Sequence, residues 1–158
     1  MSKKEMTYLE RLRIQMEYAV PLIRDLQQIL GAEIVNDALA HRSESETSEP
    51  SLKADFSRMQ AGAEHFAAGG ALDYEVIASD ADSFDMNVTR CGYAQMMEEL
   101  GARDIGHLLI CNLDFPAAAK MGMKLKRSQT QMQGAPFCDF RYRRKSWSNH
   151  PDQELRVT

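Results

Sequence analysis

Three cysteines stand in polar settings within one stretch, Phe84–Tyr142: NVTRCGYA (Asn87–Ala94), LICNLDF (Leu109–Phe115) and GAPFCDFRY (Gly134–Tyr142). In the middle segment His107, Cys111 and Asp114 are spaced four and three apart. If one helix runs through it, they line one stripe. A thiol beside a base, with a carboxylate in reach, is what a nucleophilic cysteine requires. The plainer reading is a buried small thiol, an Asp114 that caps a helix before Phe115-Pro116, and a solvated His107. In CDFRY, Asp139 and Arg141 share a strand face. They can pair, or together hold a polar ligand, since a guanidinium binds a carboxylate through two parallel hydrogen bonds. The alternative is a surface ion pair of little weight. In NVTRC, Arg90 and Cys91 fall where a strand passes into a helix, whose amino terminus favours anions and lowers thiol pKa values. A substrate carboxylate suits that place; a helix start capped by Thr89 is the other reading.

A metal is a further option. Were Cys91, Cys111 and Cys138 to meet, thiolates would favour zinc. Their spacing matches no zinc finger or ribbon, and no cofactor is expected. The basic run RYRRK at Arg141–Lys145 reads as a solvated strand end. No phosphate-cradling glycine loop, GxSxG or HExxH is present.

The elements that must position these groups follow from periodicity. Leu12, Met16, Ala19, Ile23, Leu26 and Leu30 mark a helix over about Tyr8–Leu30, with a kink or break expected near Val20 because of Pro21. Its seam packs on the domain's own sheet or, alternatively, forms a homodimer contact. A short helix is expected over Ala32–Ala40, with Ile34, Val35, Ala38 and Leu39 inward. The polar HRSESETSEPS reads as a loop, with His41 exposed at a helix end. A third helix, Leu52–Ala68, places Leu52, Phe56, Met59, Ala63 and Phe66 on one face, and Gly69-Gly70 ends it.

The period then becomes two: Tyr74, Val76 and Ala78, a polar SDAD turn, then Phe84, Met86 and Val88. This is a hairpin whose second strand aims Asn87 and Thr89 at water or at the floor of a pocket. Helices follow over CGYAQMMEELG, ARDIGHLLICN and LDFPAAAKMG. A last strand pair, MKLKRSQTQM and FCDFRYRR, closes through Gln133–Pro136. The expected fold is α+β: an antiparallel sheet of two hairpins, helices on one face, and an N-terminal helical layer. Residues 1–145 are read as one domain, with 1–70 the helical layer and 71–145 the sheet and cysteine motifs. Residues 146–158 are read as a loosely held tail.

Composition sets the bounds. The 158 residues carry a formal net charge of −4, 44% hydrophobic and 27% charged residues, an ordinary globular balance. The sequence pI of about 5.6 argues against a nucleic-acid partner. No apolar run nears the roughly 20 residues of a membrane span, and MSKKEMTYLERLR lacks a secretory core. Unpaired cysteines then suggest a reducing, cytoplasmic location. Ten methionines read as adaptable packing.

The ordered segments NVTRCGYAQMMEELG, LLICNLDFPAAAKMG and KLKRSQTQMQGAPFCDFRY resemble the 2-aminothiazoline-4-carboxylate hydrolase family, with its order "TRC…A…LG", "CN.DF", "R..T...G...CDFR". More distantly, the ending is similar to vinyl-reductase-type small-molecule-binding domains, which are α+β and often dimeric. The resemblance implies a small bacterial protein that opens a cyclic amidine-like ring by hydrolysis, giving an N-carbamoyl amino acid. It carries over Thr89, Arg90, Cys91, Cys111, Asn112, Asp114, Thr130, Gly134, Cys138, Asp139 and Arg141; His107 is not among the matched positions. The expected enzyme uses Cys111 as nucleophile, with Cys138 second, and Asp114 or Asp139 for proton transfer. Arg90 or Arg141 holds the carboxylate of a small-molecule substrate, and Asn87, Thr89, Cys91, Asn112 and Thr130 line its site. The alternative is a binding or sensor module without turnover.

Overall fold

The structure, a computed structural model, describes residues 5–44 and 53–145. The expected loop tip and tail, 45–52 and 146–158, lie outside the described residues.

Helix α1 (Tyr8–Leu30) begins with a capping box. Thr7 Oγ1 accepts from the Glu10 amide at 3.2 Å, and Glu10 accepts from the Thr7 amide at 2.7 Å. The helix runs unbroken through Pro21, so of the kink or break expected near Val20 the break does not form. An interior proline costs about 3 kcal/mol. Leu12, Met16, Val20 and Ile23 are buried on both sides of it, and each contributes roughly 1.5–3 kcal/mol, so packing outweighs the lost hydrogen bond. The seam faces the molecule's own helices rather than the sheet.

Gly31 (φ 92°) ends α1, and α2 runs Ala32–Glu44, past the expected Ala40. Val35 is buried and Leu39 half-buried. Ile34 and Ala38, expected inward, face outward, because a 13-residue helix lying against its neighbours on one side can bury only one stripe. A 3-10 turn at Phe56–Arg58 leads into α3 (Met59–Ala67), and Gly69 and Gly70 close it at φ 70° and 75°. Phe66, expected inward, stays half-exposed and packs edge-on against Tyr8 at 4.8 Å.

Strands β1 (Leu72–Ser79) and β2 (Ser83–Cys91) form the first hairpin. Helices α4 (Gly92–Glu99), α5 (Arg103–Leu109) and α6 (Asp114–Lys120) follow, then β3 (Met123–Lys126) and β4 (Cys138–Arg144). The sheet is antiparallel in the order β1-β2-β4-β3, so the two hairpins join through β2 and β4. The fold is α+β, as the residue pattern implies. The second hairpin differs in detail: β3 stops at Lys126, and 127–137 is a wide loop with a 3-10 turn at Gln131–Gln133. The amides of Ser128 and Gln129 are taken by the Asp139 carboxylate, at 3.0 and 2.9 Å, and cannot continue a ladder.

Register fixes the faces. Phe84, Met86 and Val88 lie opposite Tyr142, Phe140 and Cys138. These side chains pack with Phe56, Ala63 and Ala118 into one core. Asp85, Asn87, Asp139 and Arg141 share the other face, where buried Asp85 pairs with Arg143. A second core joins α1, α2, α4 and α5. Leu72 and Cys91 touch both cores, so the start of β1 and the end of β2 form the seam. No helix among the described residues is long and apolar enough to cross a membrane.

The seam depends on a close approach. The Gly92 amide donates to Ala71 O at 2.7 Å, and a Cβ at Gly92 would meet that same oxygen at 2.7 Å. Gly92→Ala must move backbone beside Cys91 and is expected to cost about 1–3 kcal/mol, read as a lower midpoint in thermal or urea unfolding.

Candidate active site

Helix α5 ends at Leu109 because Ile110 leaves helical geometry (φ −124°, ψ −67°). Cys111–Leu113 form a 3-10 turn, and Asp114 opens α6. The single stripe of His107, Cys111 and Asp114 therefore does not form. His107 stays on α5, where its charged neighbour is Asp104 one turn back and burial holds its pKa below the usual value.

Asp114 meets Arg127, the first residue after β3. Arg127 Nη1 donates to Asp114 Oδ2 at 2.6 Å, and Nη2 donates to the carbonyl of Cys111 at 2.8 Å. The guanidinium carbon lies 5.0 Å from the ring centres of both Phe115 and Phe140. Phe140 in turn stacks on Tyr142 at 6.1 Å. The Arg127 side chain is only 3% exposed, so this buried cation is compensated by one carboxylate, one carbonyl and two aromatic faces.

Asp114 has a different character. Its side chain keeps 41% of its area accessible, yet burial raises its pKa against the opposing pull of Arg127. Both hold together for a carboxyl that solvent reaches on one side and protein surrounds on the others. A carboxyl with a raised pKa in such a place is suited to exchange protons with a ligand.

Cys91 packs against both cores, Cys111 against the helical one and Cys138 within the sheet one. Burial pushes Cys111 up to about 12, with Arg127 opposing and Asp114, Cys91 and Cys138 adding. Cys138 is buried on β4, accepts from the Gln131 amide at 3.2 Å, and is also raised by burial. Cys91 caps α4 through the Ala94 amide at 3.4 Å. There burial outweighs the helix terminus and raises the thiol pKa, the reverse of the expected lowering. All three feel the charge of Asp114. Cysteines 20 and 27 residues apart in sequence thus share one neighbourhood at the seam of the two cores, and each rests as a neutral thiol. Among the described residues no group of three or more His, Cys, Asp or Glu could hold a metal ion.

Residues 9–142 match the family described as L-2-amino-thiazoline-4-carboxylic acid hydrolase. The chain belongs to that family. No curated protein matches it. Among solved structures, it is similar to the phenol-responsive sensory domain of the transcription activator PoxR with phenol. That match has 14% identity and a TM-score of 0.46, over 87% of this chain and 77% of that one.

The other residues that match the hydrolase family pattern are placed as follows. Asn112 lies in the 3-10 turn beside Cys111, half-buried. Thr130 is buried and caps the Gln131–Gln133 turn through the Gln133 amide. Arg90 is held at the exposed edge, with Nε and Nη2 on Asp73 at 2.8 and 3.1 Å and Nη2 also on Gly70 O at 2.6 Å. Thr89 donates to Asp73 O at 3.3 Å. Arg141 does not pair with Asp139; it donates to Asn87 Oδ1 at 2.9 Å and to the carbonyls of Met86 and Phe140. Asn87, Asp139 and Arg141 lie on the sheet face away from Cys138.

Asp139 reaches the site indirectly. It accepts from Ser128 N, Ser128 Oγ and Gln129 N at 3.0, 2.6 and 2.9 Å, and so anchors the chain just after Arg127. Burial alone would raise its pKa, but these hydrogen bonds carry it below the usual carboxylate value. A depressed carboxylate stabilises the fold above the unfolded pKa of about 3.9, and that contribution is lost as pH falls through the lower folded value. Asp139→Ala is expected to cost about 1–2 kcal/mol near neutral pH. The difference from wild type should shrink in acid, which urea unfolding at several pH values checks.

Sequence reasoning missed Arg127 as a site residue. The signal was present as the arginine three before Thr130 in the "R..T" motif, but nothing in that spacing indicates that it pairs with a carboxylate 13 positions earlier.

Proposed function

We propose that the chain hydrolyses a small 2-amino-thiazoline-type ring bearing a carboxylate, at a site made by Cys111 and Asp114 with Arg127 behind them. The observation that carries this reading is the Asp114 carboxyl, accessible yet desolvated, fixed by a buried arginine among three neutral thiols. Family membership supports hydrolysis as the reaction class.

The chemistry follows from the groups. A protonated cyclic amidine presents a planar fork of N–H donors, which a carboxylate accepts through parallel hydrogen bonds. Asp114 is the acceptor we assign. As Cys111 Sγ attacks the C=N carbon, Asp114 takes the thiol proton, because no resting thiolate is on hand. The ring heteroatom whose bond opens then leaves with that proton. Water adds to the carbon held on sulfur, again giving a proton to Asp114, and the adduct breaks to the carbamoyl product and the free thiol. Arg127 positions Asp114 and steadies its charge. Asn112, whose side-chain amide makes no hydrogen bond among the described residues, is the donor we assign to the substrate carboxylate. Arg90 and Arg141 already hold their own partners.

The test is an assay of ring opening with 2-amino-thiazoline-4-carboxylate and purified protein. Turnover that depends on Asp114 and Cys111 is expected. Binding without turnover would make the chain a binding module and overturn the proposal.

A further inference from the structure

We infer that the outer face of α1 is an interface with a second copy of this chain, the two helices packed antiparallel. One stripe of α1, Leu12, Met16, Val20 and Ile23, is buried in its own core. Almost opposite on the helix, Ile14, Tyr18, Leu22 and Ile29 are 57%, 79%, 51% and 77% exposed. Leu26, 38% exposed, flanks this patch. Isolated apolar side chains on a surface need no explanation, but a contiguous run along a helix of about 34 Å exceeds what a monomer ordinarily shows. Five large apolar side chains, with the polar residues that flank them along the helix, form the centre of an interface of the standard class, roughly 800 Å² per partner.

The charges on the same stripe select the occupant. Arg11 and Asp25 bracket Ile14, Tyr18 and Leu22, and both are exposed. Neither forms an ion pair among the described residues, although Arg11 lies 5.9 Å from the Tyr8 ring. The neighbouring arginines differ, since Arg13 pairs with Glu99 and Arg24 with Asp104 of the same chain. A two-fold axis through Tyr18 sets Arg11 of each copy opposite Asp25 of the other, Ile14 opposite Leu22, and Tyr18 on its own counterpart. The stripe is thus complementary to itself when reversed. A parallel pair would oppose Arg11 to Arg11 and Asp25 to Asp25, which is repulsive.

Sedimentation equilibrium tests this on the full chain. Wild type is expected to be a dimer that dissociates on dilution. Tyr18→Glu with Leu22→Glu should weaken association at least tenfold, with an unchanged circular dichroism melt, since both side chains are exposed. Arg11→Glu and Asp25→Arg should each weaken it, and the two together should restore it. A monomeric wild type overturns the inference. So does a dimer indifferent to the Tyr18 and Leu22 changes, or a double charge reversal weaker than either single one.

Discussion

Replacing Asp114 by Asn is expected to lower kcat/KM for 2-amino-thiazoline-4-carboxylate by about 10²–10⁴-fold, the range for a positioned acid–base group. Asparagine keeps the shape of the side chain, and its carbonyl oxygen can still accept from Arg127, but it takes up no proton. The loss should come without unfolding. The folded-state pKa of Asp114 is raised, so ionising it already weighs against the fold: its contribution is greatest below the unfolded pKa and declines as pH rises through the folded one. Removing the charge takes away that liability at neutral pH but also strips the buried Arg127 cation of its counter-charge, leaving it an amide oxygen, the Cys111 carbonyl and two aromatic faces, so a moderate loss of stability is expected beside the loss of turnover.

The wild-type pH profile makes the assignment sharper. If Asp114 must be ionised to receive a proton, kcat/KM rises with pH through a limb lying above the ordinary carboxylate value of about 3.9, then levels. If a free thiolate at Cys111 set the rate, activity would keep climbing into strong alkali, because burial pushes that thiol up to about 12. Cys111→Ala separates the remaining cases. Loss of turnover supports attack by sulfur; full activity would leave Asp114 activating water directly.

The parts of this site that were legible in the sequence are those set by local rules. Period-two alternation located β1 and β2, and glycines at φ above zero marked where helices end, as at Gly101 and Gly122. The order of the three cysteine motifs pointed to the family whose description matches residues 9–142. What local rules could not show was competition between elements. Pro21 reads as a break, yet core packing carries α1 through it. One helix running through LICNLDF would align His107, Cys111 and Asp114, yet Ile110 turns the chain so that Asp114 starts a new helix toward Arg127. Asp139 and Arg141 read as a pair because they share a face, but Asn87 across the ladder and the amides of Ser128 and Gln129 are better placed partners. Thiol pKa values failed for the same reason: position at a helix terminus is local, whereas burial is a property of the finished fold.

Arg127→Met should be the most damaging change in this region for stability. Removing one partner of a buried ion pair typically costs about 3–5 kcal/mol, chiefly by leaving the other charge uncompensated. Here the carboxylate left behind is 41% exposed, so solvent relieves part of the penalty and the lower end, about 3 kcal/mol, is expected. For a chain of this size that lowers Tm by roughly 6–12 °C. Part of the loss is contact, since the guanidinium fills the gap between Phe115 and Phe140, and methionine replaces its stem but not its plane. Combining Arg127→Met with Asp114→Asn removes both charges and should recover a sizeable share of the stability while leaving turnover absent. Recovery in that double-mutant cycle separates the electrostatic part from the packing part. If Arg127→Met instead melts and turns over like wild type, Asp114 does not depend on its buried partner, and the assigned active site loses the group that holds it in place.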